Sequence, residues 1–346
     1  MTRQPSSKLL RPFVALLLAI AAIPVVAVPS FAQDLRNYFP GKKVDKTFSI
    51  HLPSNYQPTE TLPLVMVLHG CRETGGETDL SFDESIERDS KFDEVADRER
   101  FIVVYPNHDY FGIGLKNCWE WYDNAMIHRG SGRVRDLYEI VKEVQNEYKV
   151  DPNRIHIAGL SAGAAMTVAA LVAYPDVFAS GSETAGQPYS ETRHKDTHYK
   201  PVDDIAAAMN AEMGSRKRPV PIFIIQSEAD QTVNFRYAEN MRDSWGKAFG
   251  VDTQNPISPP ESGETKGTSW THTKYGRGPD GNTVVETLIL HRRPDGGLKH
   301  GWYGGGDGQF AFSNAPNTAQ LAWEFFKAHP MPPKTPSSPS AADTPR

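Results

Sequence analysis

Residues 155–166 read IHIAGLSAGAAM and place one serine between two glycines at the end of an apolar run. A short apolar run is typical of a buried β-strand, and the small residues after it are typical of a helix that packs closely against a sheet. A sharp turn between the two would bring backbone segments so close that side chains at positions 159 and 163 would clash, which glycine avoids. The segment therefore predicts a strand, a tight turn and a helix, with Ser161 on the turn.

The rest of the chain alternates strand-like and helix-like segments. Short apolar runs fit buried parallel strands, and one segment between them repeats its apolar residues with the spacing of a helix face. Two later β-rich runs joined at Asp280 and Gly281 favour a hairpin, and a last helix is stopped by Pro330. This alternation predicts an α/β fold, with a mostly parallel central sheet and helices on both faces. The segments are 62–70, 101–106, 154–159 and 221–230 for the strands, 136–148 for the first helix, 270–290 for the hairpin and 314–330 for the last helix.

The two ends of the chain differ from the rest. Basic residues, an apolar stretch and a small-x-small ending make residues 1–32 typical of a cleaved secretory signal, so we expect the protein to be secreted, into the periplasm or the medium. An uncleaved membrane anchor is the alternative, but two prolines interrupt the stretch. Residues 33–330 have a length suited to one large catalytic domain, and residues 331–346 are rich in Pro and Ser and are expected to be disordered.

Charge and cysteine content exclude several classes of function. The formal net charge is -5 with acids and bases interspersed, which offers no basic stripe to nucleic acid and no polybasic patch to a membrane. We therefore expect no nucleic-acid partner and no stable membrane insertion after signal cleavage. The chain has 2 cysteines, Cys71 and Cys118, and in an exported protein such a pair favours a disulfide.

A serine on such a turn needs a base and an acid to become a nucleophile. On folds of this kind the three follow in the order serine, acid, histidine. Asp230 is the last residue of the strand segment 221–230, at the edge of the sheet where the turn with Ser161 is expected, and Glu228 is its rival. His300 lies in a glycine-rich loop after the hairpin, whereas the rival His291 is followed by two arginines that would disfavour its protonated form. We predict Ser161, Asp230 and His300 as the catalytic residues.

The predicted nucleophile also needs donors for a developing oxyanion. His69 and Gly70 end an early strand, and in hydrolases of this kind the loop after such a strand donates one backbone N–H, while the residue after the nucleophile donates the other. This nominates the backbone of Cys71 and Ala162. We predict no metal and no organic cofactor.

A pair of histidines offers the alternative of a metal site. His194 and His198, with Asp196 between them, could hold a metal, but two histidines without a clear third ligand favour a polar surface turn.

A series of motifs follows in order over residues 46–330. The motifs are LHGC, VVYP, NCWEW, VDPNRIHIAGLSAGAAMT, YPDVFASG, AGQPY, ADQTV, VVETLIL, HGWYGG and WEFFKAHP. Together they resemble the secreted polyhydroxybutyrate depolymerase and feruloyl esterase group of α/β hydrolases. The resemblance implies the α/β-hydrolase fold, the same Ser161, Asp230 and His300, and a disulfide between Cys71 and Cys118. It further implies a serine ester hydrolase that acts through an acyl-enzyme.

The substrate stays open at this stage. The resemblance favours hydroxyalkanoate (3-hydroxybutyrate) esters or oligomers, with feruloyl or acetyl groups on plant polysaccharide as the alternative and peptides as a more distant one. A binding module without activity would lack part of the triad, yet all three residues are present. Polymer depolymerases typically carry a separate substrate-binding domain, whereas the Pro/Ser tail here stops at Arg346, so we do not expect attack on crystalline polymer.

Aromatic residues beside the motifs are candidates for an apolar acyl or polymer subsite, although core positions are the alternative for each. The candidates are Trp119, Trp121, Trp302 and Tyr303.

Overall fold

The computed structural model describes residues 36–38, 46–75, 85–108, 117–191, 199–279, 281–306 and 308–332. The predicted signal segment 1–32, residues 333–346 of the predicted tail, the histidine pair at 194 and 198, and the predicted turn residue Asp280 lie outside the described residues.

A large sheet is the centre of the fold, and within the described residues it has ten strands in the order β1-β2-β4-β3-β5-β6-β7-β10-β9-β8. The strands from β4 to β10 in this order run parallel, and the outer strands pair antiparallel. A two-stranded parallel sheet lies apart from it, with the order β11-β12. The strands are β1 (Arg36–Tyr38), β2 (Lys46–His51), β3 (Leu62–Leu68), β4 (Ile102–Pro106), β5 (Val150–Leu160), β6 (Ser180–Thr184), β7 (Ile222–Ser227), β8 (Glu261–Thr265), β9 (Thr268–Arg277), β10 (Thr283–Leu290), β11 (Trp302–Tyr303) and β12 (Ala311–Phe312).

Helices cover both faces of the large sheet. Side chains along a strand point alternately to the two faces, and β3 accordingly sends Leu64 and Met66 into one buried cluster and Val65 and Val67 into another. Helices α4 to α6 and most of α7 pack in the first cluster, and α1, α2 and α8 pack in the second. The helices are α1 (Ile86–Ser90), α2 (Phe92–Glu99), α3 (Asn124–Ile127), α4 (Gly132–Glu147), α5 (Ala162–Ala173), α6 (Val202–Met213), α7 (Arg236–Phe249) and α8 (Thr318–Ala328).

The architecture confirms the predicted α/β fold with a mostly parallel sheet. The four predicted strands correspond to β3, β4, β5 and β7, the two predicted helices to α4 and α8, and the predicted hairpin to β9 and β10. The hairpin turn contains Gly281 with φ 81°, a backbone conformation that favours glycine. Strand β6 was not predicted, and it lies in the middle of the sheet between β5 and β7. Among the described helices there is no apolar segment of the length that a bilayer crossing requires.

Candidate active site

Ser161 lies on the turn between β5 and α5 in a strained conformation, with φ 57° and ψ −119°. The glycines on either side are required by close approach of the backbone. A Cβ added at Gly159 would lie 2.5 Å from the backbone carbon of Gly163, and one added at Gly163 would lie 2.4 Å from the carbonyl oxygen of His69. The turn thus presents the serine at the carboxyl end of β5, next to the loop that follows β3.

Asp230 and His300 are hydrogen-bonded to each other. Asp230 follows the end of β7 by three residues, and its Oδ2 lies 2.7 Å from Nδ1 of His300. The other carboxylate oxygen, Oδ1, accepts the backbone N–H groups of Thr232 at 2.8 Å and Val233 at 2.9 Å. The side chain of Asp230 is fully buried. These contacts fix both oxygens of the acid and hold the imidazole in one orientation.

The serine and the histidine line one cavity of about 800 Å³, which we call the Ser161 cleft. The backbone positions proposed as oxyanion donors, Cys71 and Ala162, line the same cleft. The structure therefore brings together all the predicted catalytic positions, with Asp230 buried behind His300. The lining residues are Cys71, Arg72, Trp121, Ser161, Ala162, Gln187, Gln231, Thr232, Val233, Lys299, His300, Gln309, Phe310 and Phe312.

The rival acid and the rival base bind each other instead of joining this cleft. Glu228 Oε1 lies 3.2 Å from Nδ1 of His291, and Glu228 Oε2 accepts the backbone N–H of Arg292 at 2.9 Å. The second ring nitrogen of His291 lies 2.8 Å from the hydroxyl oxygen of Thr271. Both side chains are 37% exposed. This pair lies at the end of β10 and is occupied by its own partners.

The loop after β3 is held in place by several contacts. A disulfide joins Cys71 to Cys118, as the sequence resemblance implies. Glu73 is fully buried, and its Oε2 accepts the backbone N–H of Gly70 at 2.5 Å while its Oε1 accepts the indole N–H of Trp302 at 3.2 Å. Because Trp302 follows His300 by two residues, Glu73 connects the loop of the proposed oxyanion donor to the loop of the histidine.

Only one of the three tryptophans predicted to bind substrate lines the cleft. Trp121 does so, and its indole N–H donates to Oε1 of Gln187 at 2.5 Å. Trp119 and Trp302 are buried, with exposures of 0% and 3%, and for them the prediction is corrected. Trp119 donates to the carbonyl oxygen of His69 at 3.1 Å, so both side chains support loops of the site from the interior.

A buried tyrosine behaves in the same way as these tryptophans. Tyr303 is 1% exposed and donates its hydroxyl to the carbonyl oxygen of Lys299 at 3.0 Å. It therefore also supports the histidine loop from the interior and does not contact the cleft.

Two residues of the candidate site have no clear signal in a single sequence. Gln187 belongs to the AGQPY motif but was assigned no role, and it lines the cleft beside Trp121. Glu73 follows Cys71 by two residues, and its burial against a tryptophan more than two hundred residues away is a tertiary contact that no local pattern encodes.

Another buried carboxyl lies at the end of β6. Glu183 is 1% exposed, and its Oε2 accepts the backbone N–H of Gly186 at 2.8 Å. Burial raises the pKa of Glu183 to about 8, against the smaller opposite effect of this hydrogen bond. The group is therefore mostly protonated at neutral pH.

Within the described ranges, no group of three side chains is arranged to hold a metal ion. The histidine pair considered from the sequence falls in the segment 192–198, outside those ranges.

Comparison with known proteins places the chain in a family. The family model described as esterase PHB depolymerase matches residues 46–251, which is more than half of the chain. The chain belongs to the esterase PHB depolymerase family. This family is the one that the motifs from LHGC onward resemble.

The relatives of this esterase PHB depolymerase family member differ in how much of their length it matches. It is similar to poly(3-hydroxyalkanoate) depolymerase C of Paucimonas lemoignei, with 34% identity over 139 residues, covering 40% of this chain and 31% of that protein. It is also similar to acetylxylan esterase A of Emericella nidulans, with 27% identity over 66% of this chain and 75% of that protein. The chain thus spans about a third of the depolymerase and three quarters of the esterase.

Among solved structures, this family member shares its fold with the acetyl xylan esterase from Aspergillus awamori. The two match with a TM-score of 0.63 and 19% identity, covering 85% of this chain and 99% of that one.

Proposed function

We propose that this protein is a secreted serine ester hydrolase that acts through an acyl-enzyme. The observation that carries the proposal is the position of Ser161 on a strained turn, in one cleft with a histidine whose Nδ1 is hydrogen-bonded to the buried Asp230. Family membership supports the same chemistry.

In the proposed mechanism, Ser161 Oγ attacks the ester carbonyl while Nε2 of His300 accepts the serine proton. Asp230 keeps the remaining ring proton on Nδ1, so that Nε2 is the acceptor, and it stabilises the imidazolium that forms. His300 then gives the proton to the leaving alcohol. Water, activated by the same imidazole, releases the acid from the serine.

The developing oxyanion is proposed to bind the backbone N–H groups of Cys71 and Ala162. Ala162 is the first residue of α5, so its N–H has no partner within the helix, and the helix dipole adds a favourable field. The disulfide and Glu73 fix the loop that carries Cys71. Donors held before the reaction starts stabilise the transition state without reorganisation.

The substrate class proposed first is hydroxyalkanoate (3-hydroxybutyrate) esters or oligomers, which the family description and the depolymerase of Paucimonas lemoignei support. Acetyl groups on xylan are the second candidate, because acetylxylan esterase A matches over more of its own length. Feruloyl esters are the third candidate, which the motif resemblance and the similarity to feruloyl esterase B of Talaromyces funiculosus support. No cofactor takes part in the proposed steps.

The purified protein is to be assayed on hydroxybutyrate trimer, methyl ferulate and acetylated xylan. Ser161→Ala and His300→Ala should each lower kcat by several orders of magnitude, and the double variant should be hardly worse, because the residues act as a unit. His291→Ala is the matched control and should keep most of the activity. Additive losses, or a loss in the control as large as that of His300→Ala, would refute the assignment.

A further inference from the structure

Two cationic side chains line the Ser161 cleft. The lysine and arginine side chains among its described lining residues are Arg72 and Lys299, and none of those lining residues is an aspartate or a glutamate. Arg72 follows the proposed oxyanion donor Cys71, and Lys299 precedes His300. Both side chains belong to exposed residues. One cation therefore lies beside each half of the proposed catalytic machinery.

Two buried carboxylates that support this machinery already have hydrogen-bond partners. Asp230 binds His300 and two backbone N–H groups, and Glu73 binds Gly70 and Trp302. Within the described part of the chain, Arg72 and Lys299 form no salt bridge.

The remaining contact of Arg72 is with an aromatic ring. Its guanidinium carbon lies 6.0 Å from the centre of the Phe310 ring, at the limit of a cation–π contact. Both cations are thus available to an anionic ligand in the cleft.

The rest of the lining is largely apolar. Trp121, Val233, Phe310 and Phe312 lie in the same cleft. A ligand that matches this surface has an aliphatic part and a carboxylate, because apolar side chains favour the first and a guanidinium or ammonium favours the second.

We propose that Arg72 and Lys299 bind a carboxylate of the substrate, so that the enzyme selects anionic esters over neutral esters of the same acyl group. This inference rests on the proposed function and narrows its substrate class to esters with a free acid, such as short hydroxyalkanoate oligomers. In such an oligomer the carboxylate belongs to the leaving hydroxy acid, on the side where His300 delivers its proton and Lys299 lies. Hydrolysis consumes one water, breaks the acyl C–O bond and releases two hydroxy acids, one from each side of that bond.

The test compares 3-hydroxybutyrate trimer as the free acid with the same trimer methylated at its carboxyl end. At low salt we expect kcat/KM to be about fivefold or more higher for the acid, the factor that two exposed charge contacts provide together. The preference should shrink in about 0.5 M NaCl, where the Debye length falls to a few ångströms.

Variants separate the two cations from the net charge of the protein. In the double variant Arg72→Gln, Lys299→Gln, the ratio of kcat/KM for the free acid to kcat/KM for the methyl ester should fall to about one. Lys142→Gln, which removes an exposed charge on α4, is the control and should keep the preference.

Equal kcat/KM for the two trimers in the parent, or a preference that persists in the double variant, would overturn the inference while leaving the hydrolase in place. A parent that hydrolyses neither trimer nor p-nitrophenyl butyrate would instead overturn the proposed function, and this inference with it.

Discussion

Replacing Asp230 by asparagine changes one oxygen of the carboxylate into an NH₂ group, and the structure determines where that group goes. Oδ1 accepts two backbone N–H groups, from Thr232 and Val233, so the amide oxygen of Asn must stay at that position. The NH₂ group then faces Nδ1 of His300, which Oδ2 now contacts at 2.7 Å. Because two donors cannot face each other, Nδ1 must become an acceptor and the ring proton must move to Nε2.

This change of tautomer sets the size of the expected effect. An imidazole that carries its proton on Nε2 cannot accept a proton from Ser161, and in a serine protease the corresponding substitution lowers kcat about 10⁴-fold with the geometry intact. A loss of that size equals about 5.5 kcal/mol of transition-state stabilisation. Substrate binding does not use the tautomer, so KM should change little. The two retained backbone hydrogen bonds should keep the loss of folding stability small.

The assay measures kcat and KM on the best ester of the panel, together with thermal unfolding of each variant. Glu228→Gln is the matched control, because it makes the same chemical change two residues away in a side chain that binds His291. We expect the control to keep kcat within about threefold, as a surface change away from the site should. A larger loss in Glu228→Gln than in Asp230→Asn would refute the assignment of the acid.

Three further substitutions test the surroundings of the site. Cys118→Ser removes the disulfide between two residues that are 47 positions apart, which should lower the free energy of unfolding by about 4 kcal/mol. It should also reduce kcat when the assay temperature is well below the melting temperature. Unchanged values of both quantities would contradict this prediction. Glu183 binds its proton more tightly in the folded protein than in the unfolded one, so the free energy of unfolding should fall as pH rises from 4.5 to about 8. In denaturant titrations, Glu183→Gln should make the free energy of unfolding depend less on pH over this range. In Glu73→Gln the single amide oxygen can accept the N–H of Gly70 or that of Trp302 but not both, which leaves one buried donor unsatisfied. We therefore expect kcat to fall about tenfold with KM nearly unchanged. A kcat equal to that of the parent would show that the connection between the two loops through Glu73 is not needed.

The strands that could be predicted from the sequence are those whose buried residues are large and apolar. Strand β6 was missed because its residues, SGSET, are small or polar although all are buried. At one of these positions the packing shows what takes the space of a side chain: a Cβ added at Gly181 would lie 2.5 Å from a methyl carbon of Leu171 in helix α5. Small residues of this kind are typical of loops as well, and a single sequence does not separate the two.

The proposed catalytic residues could be predicted from the sequence more completely than the residues that line the cleft around them. Ser161 and His300 lie in motifs with local physical causes, a tight turn and a glycine-rich loop. The choice between Asp230 and Glu228 depended on where β7 ends, which the structure puts at Ser227. The direction of a side chain had no local signal, so Trp121, which is 9% exposed and lines the cleft, could not be told apart from the fully buried Trp119.

The strain at Ser161 has a consequence for engineering. A non-glycine residue at φ 57° costs on the order of 1 kcal/mol or more, and glycine would adopt the same backbone freely. Ser161→Gly should therefore fold more stably while it lacks the oxygen of the proposed nucleophile. A library of variants screened for thermal stability alone would therefore enrich inactive variants at position 161. Each round of selection for stability has to include an assay of ester hydrolysis.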